Sequence, residues 1–127
     1  MADSRMAALM LESARRDILA FDRLAPMSDM HDSILGFHAQ QAVEKCLKAV
    51  LFKHDAMVPR THDLDELLHL LASGLGLAVP HADQLDELNP FAVQARYSLA
   101  DLDGMDRVAV GLRLHDVLEW ADGSLPA

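Results

Sequence analysis

One long segment with a broad apolar surface limits most strongly what this chain can fold into. At about 100° per residue, the apolar side chains of residues 29–53 fall on one wide arc of a helix. The members of this arc are Leu35, Ala39, Ala42, Val43, Cys46, Leu47, Ala49 and Val50. A helix with so wide an apolar arc packs against more than one neighbour, so we predict that it forms the centre of a helical bundle.

The rest of the chain also has helical periodicity, divided by proline, glycine and capping residues. Leu and Ala outnumber the branched residues Val and Ile, which favours helix over strand. Besides residues 29–53, the predicted helices are residues 4–24 with Ser4 as a candidate N-cap, a helix capped by Thr61 and ended by Gly74 and Gly76, residues 81–97 bent at Pro90, and residues 103–121. We therefore predict an all-α, up-and-down bundle of about five helices, in a single domain over residues 1–127.

Charge and cysteine content narrow the possible functions. The net charge is −9, and it comes from residues 63–127, which hold 3 basic and 12 acidic residues, whereas residues 1–62 hold 8 of each. Such a chain is repelled by duplex nucleic acid, although a small anion could bind the neutral first half. Cys46 is the only cysteine, which excludes an intrachain disulfide and favours a buried, inert thiol. We expect a cytoplasmic protein without a signal peptide, a membrane span or a cofactor.

A polar row on the long helix is the first candidate site. His38, Gln41, Lys45 and Lys48 follow one another at helical spacing over about three turns. Lysine can neutralise phosphate, and His and Gln can hydrogen-bond a base or a sugar. In the alternative interpretation, these four residues and Glu44 form only a solvated outer face of the helix.

Two shorter motifs are further candidates. His62 and Asp63 stand near the start of a predicted helix after Arg60, where backbone N–H groups attract anions, although simple capping explains them too. Arg96 and Tyr97 could clamp a phosphate and stack on a base, or could only pack at a helix end. His62, Glu66 and His69 share one helical face, but they lack the HExxH spacing of zinc sites, so we predict no metal site.

Taken together, these motifs resemble the HEPN family. The resemblance rests on the run GFHAQQAVEKCLKAVL over residues 36–51, on Thr-His-Asp-Leu at residues 61–64 and on Ala-Arg-Tyr at residues 95–97. It implies a helical bundle that is usually a homodimer and that commonly works with a minimal nucleotidyltransferase, in some cases as a toxin–antitoxin module. It also implies that the candidate residues His38, Gln41, Lys45, Lys48, His62, Asp63, Arg96 and Tyr97 face a nucleotide.

The sequence departs from the ribonuclease branch of that family. That branch carries an Arg followed, after four to six residues, by a His, and no Arg and His in this chain have that spacing. The favoured hypothesis is therefore a non-catalytic nucleotide- or substrate-binding accessory domain. The alternatives are a ribonuclease toxin with a non-standard Arg and His pair, such as Arg96 with a His from across a dimer, and a helical dimer that only makes interactions.

Overall fold

In the computed structural model, residues 3–94 and 104–124 are described, and every regular element in them is helical. Helix α1 spans Ser4–Leu24 and helix α2 spans Asp32–Lys53. Four further helices follow: α3 at Leu64–His69, continued by a π-helical turn at Leu70–Gly74; α4 at Ala82–Leu85, continued by a 3-10 turn at Asp86–Leu88; α5 at Phe91–Gln94; and α6 at Arg107–Gly123. The predicted all-α bundle is confirmed.

Helix α2 lies at the centre of the bundle, as its sequence predicts. All eight members of the predicted apolar arc are at most 1% exposed. Helix α1 packs Leu11, Ile18 and Phe21 into the same core, and α6 adds Leu114 and Val117. Because burial of each large apolar side chain contributes about 1.5–3 kcal/mol, this continuous core is the main stabilising feature of the fold.

The three long helices differ in direction. Helix α1 runs antiparallel to α2, since the amide of Asp3 donates to the carbonyl of Phe52, at the far end of α2. It also runs antiparallel to α6, because Arg15 pairs with Asp122 near the end of α6, whereas Asp22, further along α1, pairs with His115 earlier in α6. Helices α2 and α6 are therefore parallel. The described segment from His62 to Phe91 leads back towards the start of α2, since His62 contacts Glu44 and Phe91 lies against Gly36.

Several predicted helix ends are wrong, and local hydrogen bonding explains two of them. Asp3, not Ser4, caps α1, because its carboxylate accepts from the amide of Met6. Asp63, not Thr61, caps α3 by accepting from the amide of Asp65, since its carboxylate stands one residue before the first helical turn.

The remaining differences concern lengths and breaks. Helix α2 begins at Asp32 rather than at residue 29, and the last helix spans Arg107–Gly123 rather than residues 103–121. The fourth helix, predicted to bend at Pro90, is interrupted there by a turn at Asn89 and Pro90 that separates Asp86–Leu88 from α5, and its predicted end at residue 97 lies outside the described residues. Proline lacks the amide donor that an uninterrupted helix needs at that position.

A buried ion pair fixes the start of α6 against the start of α2. The carboxylate of Asp32 accepts from the amides of Gly104 and Met105 at 2.9 and 3.0 Å and from Nε of Arg107 at 3.0 Å. The same guanidinium donates to the carbonyls of Ala25, Met27 and Met30. These bonds join the α1–α2 loop to the segment that enters α6, and the sequence analysis did not anticipate them.

Candidate functional site

One end of the predicted polar row is held by a carboxylate of the neighbouring helix. Asp17 of α1 lies 3.0 Å from Nδ1 of His38 and accepts from Nζ of Lys45 at 2.6 Å. The side chain of His38 is only 28% exposed, that of Asp17 13% and that of Lys45 23%. The row is thus not a freely solvated face at this end, because α1 supplies a shared acidic partner.

The other end of the row is organised by Glu44, and here the sequence interpretation is wrong. Glu44 was placed on the polar outer face, yet the residue is only 5% exposed. Its carboxylate accepts from Nε2 of Gln40 at 3.1 Å and from Nζ of Lys48 at 3.1 Å, and it lies 2.9 Å from Nδ1 of His62. Burial is tolerated because three donors surround the charge.

Gln40 connects these groups through the interior. Its side chain is fully buried, and its amide nitrogen donates both to Glu44 and to the carbonyl of His62, the latter at 3.0 Å. Its amide oxygen accepts from Nε2 of Gln41 at 2.8 Å. The chain before α3 is thereby fixed to α2, and Gln41, Lys48 and His62 belong to one hydrogen-bond network.

His62 and Asp63 take different roles in the structure. His62 joins the Glu44 network with 65% of its side chain exposed, whereas Asp63 caps α3 and accepts from Nδ2 of Asn89 at 3.3 Å. A pocket of about 330 Å³ lies beside them, lined by His62, Asp63, Asp65, Asn89 and Ala92. Asp63 and Asp65 make this wall of the pocket acidic. Burial raises the pKa of Asp65, and the nearby carboxylates of Asp86 and Asp63 raise it further.

The structure brings together five of the eight predicted site residues: His38, Gln41, Lys45, Lys48 and His62. Asp63 is adjacent but points its carboxylate at the helix start, and Arg96 and Tyr97 lie outside the described residues. Asp17, Gln40 and Glu44 were missed as site residues. Asp17 has no local signal, because it reaches the site only when α1 packs on α2, whereas Gln40 and Glu44 at i and i+4 are a visible pair at the edge of the apolar arc.

With this geometry established, comparison with known proteins identifies the fold family. The family model of the HEPN domain matches residues 7–112, which include most of α1, all of α2 and every member of the network described above. The chain belongs to the HEPN family. No curated protein and no solved structure shows significant similarity to it.

The described part of this HEPN chain contains neither a cluster of metal-ligating side chains nor a helix that could span a membrane. Within residues 3–94 and 104–124, no three His, Cys, Asp or Glu side chains are grouped to hold a metal ion. His69, one of the three residues predicted to share one helical face, lies 3.4 Å from the hydroxyl of Ser73 instead. None of the helices in these ranges has both the length and the apolar character needed to cross a bilayer.

Proposed function

We propose that this HEPN protein is a nucleotide-binding accessory domain that acts without catalysing a reaction itself. The observation that carries the proposal is the convergence of His38, Gln41, Lys45, Lys48 and His62 on one face of α2, ordered by Asp17 and Glu44. Side chains fixed by buried partners lose little conformational freedom when a ligand binds, which favours recognition. The pocket beside His62 provides space for part of such a ligand.

Calorimetric titration with a set of nucleotides at millimolar concentration tests this proposal. We expect binding by the wild type and a loss of affinity of about tenfold in His62→Ala, because the hydrogen bonds of a charged or oriented site residue are worth about 1.4 kcal/mol. His69→Ala is the matched control, since His69 is an exposed histidine that contacts Ser73 rather than the Glu44 network. Absence of binding by every nucleotide would refute the proposal.

The expected partners are a minimal nucleotidyltransferase and a second copy of the chain, in an arrangement that could serve as a toxin–antitoxin module. An affinity-tagged chain, purified from its native cells and analysed by mass spectrometry, should bring down the nucleotidyltransferase in stoichiometric amount. Recovery of the chain alone would contradict this part of the proposal.

An apolar surface on α6 supports the homodimer. Val108 and Leu112 are 75% and 63% exposed and line a pocket of about 460 Å³ whose wall includes Phe21. Exposed apolar surface of this kind often marks a protein contact. Leu112→Glu should therefore shift the mass measured by light scattering from dimer to monomer, whereas Leu9→Glu, at an exposed position of α1, should not.

Ribonuclease activity is the second candidate, and one observation favours it. Nδ1 of His38 and Nδ1 of His62 each lie against a carboxylate, which leaves the Nε2 atoms for proton transfer. Incubation of the purified protein with single-stranded RNA tests this candidate. Cleavage that disappears in His38→Ala or His62→Ala would support it, and intact RNA would exclude it.

A further inference from the structure

We propose that the α2 site recognises the nucleoside part of its ligand, the base and the ribose, and that Asp17 and Glu44 prevent phosphate groups from adding to the affinity. This inference rests on the proposed nucleotide-binding function and names the chemical part of the ligand that is bound. It assigns a specificity role to two acidic residues that the candidate row itself does not contain.

The two lysines of the row are already neutralised by these carboxylates. Nζ of Lys45 lies 2.6 Å from Asp17, and Nζ of Lys48 lies 3.1 Å from Glu44. The Lys48 side chain is only 12% exposed and that of Glu44 only 7%, so solvent screens this pair poorly. Two ammonium groups and two carboxylates sum to zero, and a phosphate that approaches either lysine also approaches an acid.

Neutral hydrogen-bonding groups remain available on the same face. A carboxylate can only accept, so Asp17 and Glu44 fix Nδ1–H on His38 and on His62 and leave each Nε2 as an acceptor in the neutral ring. Gln41 uses one amide hydrogen on Gln40, and no donor within residues 3–94 and 104–124 hydrogen-bonds to its amide oxygen. These acceptors suit the amino groups of a base and the hydroxyl groups of a ribose.

The α3 side of the site repels phosphate for an independent reason. The start of α3, where backbone amides would attract an anion, is occupied by the carboxylate of Asp63, which accepts from the amide of Asp65 at 3.0 Å. Asp63 and Asp65 both line the adjacent pocket. Burial raises the pKa of Asp65, and the neighbouring carboxylates of Asp86 and Asp63 raise it further. A phosphate placed in this pocket would meet the two carboxylates of Asp63 and Asp65, and its lining residues include neither lysine nor arginine.

The test compares the affinities of ligands that differ in phosphate number, and therefore in charge, for the wild type and two matched variants. Adenosine, AMP, ADP and ATP are titrated calorimetrically into the wild type, Asp17→Asn and Asp22→Asn. Asp22 is the control because it also lies on α1 but pairs with His115 of α6, so its substitution changes the net charge equally without touching the site. Unfolding midpoints of all three proteins establish that each is folded during the titration.

We expect the Kd of the wild type to vary by no more than about threefold across the four ligands, and the same for Asp22→Asn. In Asp17→Asn, the ratio of the Kd for adenosine to the Kd for ATP should be about fivefold higher than in the wild type, since Lys45 is no longer neutralised. A merely structural role of Asp17 would weaken all four ligands equally, which would overturn the inference.

The outcomes separate this inference from the proposed function. Affinity that rises steeply with phosphate number in the wild type would overturn the nucleoside inference and leave nucleotide binding in place. An unchanged ATP-to-adenosine ratio in Asp17→Asn would also overturn it. If no ligand binds any of the three proteins, the proposed function itself fails and the inference fails with it.

Discussion

Replacement of Arg107 by methionine should remove the polar connection between the start of α6 and the α1–α2 loop. The guanidinium contacts Asp32 through Nε at 3.0 Å and through a second nitrogen at 2.9 Å, and it donates to three backbone carbonyls of the α1–α2 loop. Methionine keeps the aliphatic stem of the side chain but leaves the carboxylate of Asp32 with only the amides of Gly104 and Met105. The carbonyl of Met30 also loses its guanidinium donor.

The magnitude follows from burial. The Asp32 side chain is 11% exposed and that of Arg107 is 23% exposed, so the pair is largely but not fully desolvated. Removing one partner of a fully buried ion pair costs about 3–5 kcal/mol, and partial access of water reduces this. We therefore expect Arg107→Met to lower the free energy of unfolding by about 2–4 kcal/mol, a large part of the stability of a domain of this size.

Urea unfolding followed by circular dichroism measures this loss. With a slope of about 1–3 kcal/mol per molar urea, a loss of about 2–4 kcal/mol lowers the midpoint by about 0.7–4 M. Arg15→Met is the control, because the pair of Arg15 with Asp122 is 49% and 59% exposed and should contribute no more than about 1 kcal/mol. A loss below about 1 kcal/mol in Arg107→Met, or an equal loss in both variants, would refute the reasoning.

The remaining predictions concern pH, backbone space and thiol reactivity. Burial opposes the charge of Asp32, but its hydrogen bonds from Met105, Arg107 and Gly104 lower its pKa below 3.8, so its contribution to stability is present above that value and lost as the pH falls below it. Urea unfolding at pH 7, 4 and 3 should therefore show a shallower decline in Asp32→Asn than in the wild type; equal declines would contradict this. Gly36→Ala should destabilise the protein by about 1–3 kcal/mol, since the new Cβ would lie 2.1 Å from Cδ1 of Phe91. Gly111→Ala, whose nearest contact is 3.4 Å, should be neutral or stabilising by up to about 1 kcal/mol in the same urea assay, and similar effects of the two would argue against this packing. Burial raises the pKa of the Cys46 thiol to about 12, so it should react with a thiol reagent such as DTNB only after unfolding, and rapid labelling of the native protein would disprove its burial.

The sequence was sufficient to predict the core but not all of its boundaries. The apolar arc of α2 is a property of one helix, so helical periodicity alone identified Leu35, Leu47 and Val50 as buried. Helix ends depend on which of two neighbouring polar residues reaches the free amides, and Asp63 rather than Thr61 does so at α3. The ion pair of Asp32 with Arg107 joins residues 75 positions apart, and no local pattern reports such a contact.

The site, like the core, was predictable where its residues share one helix and not where they meet through packing between helices. His38, Gln41, Lys45 and Lys48 share one helix, and their alignment was predictable from spacing; His62 reaches them through its contact with Glu44. Asp17 was not predictable, because it enters only through the packing of α1 on α2. Periodicity also misplaced Glu44, since it assigns a charged residue at the edge of an apolar arc to solvent unless its buried partners are known.

The acidic partners change what the polar row can recognise. Equal numbers of acidic and basic residues in the first half of the chain first indicated a neutral surface that could accept a small anion. The structure shows that part of this neutrality consists of close pairs, Lys45 with Asp17 and Lys48 with Glu44, rather than of separated charges. A close pair attracts an approaching phosphate far less than an isolated lysine does, because the carboxylate cancels most of the field. The lysines that first suggested phosphate binding are therefore, in the folded chain, an argument for selection by base and ribose.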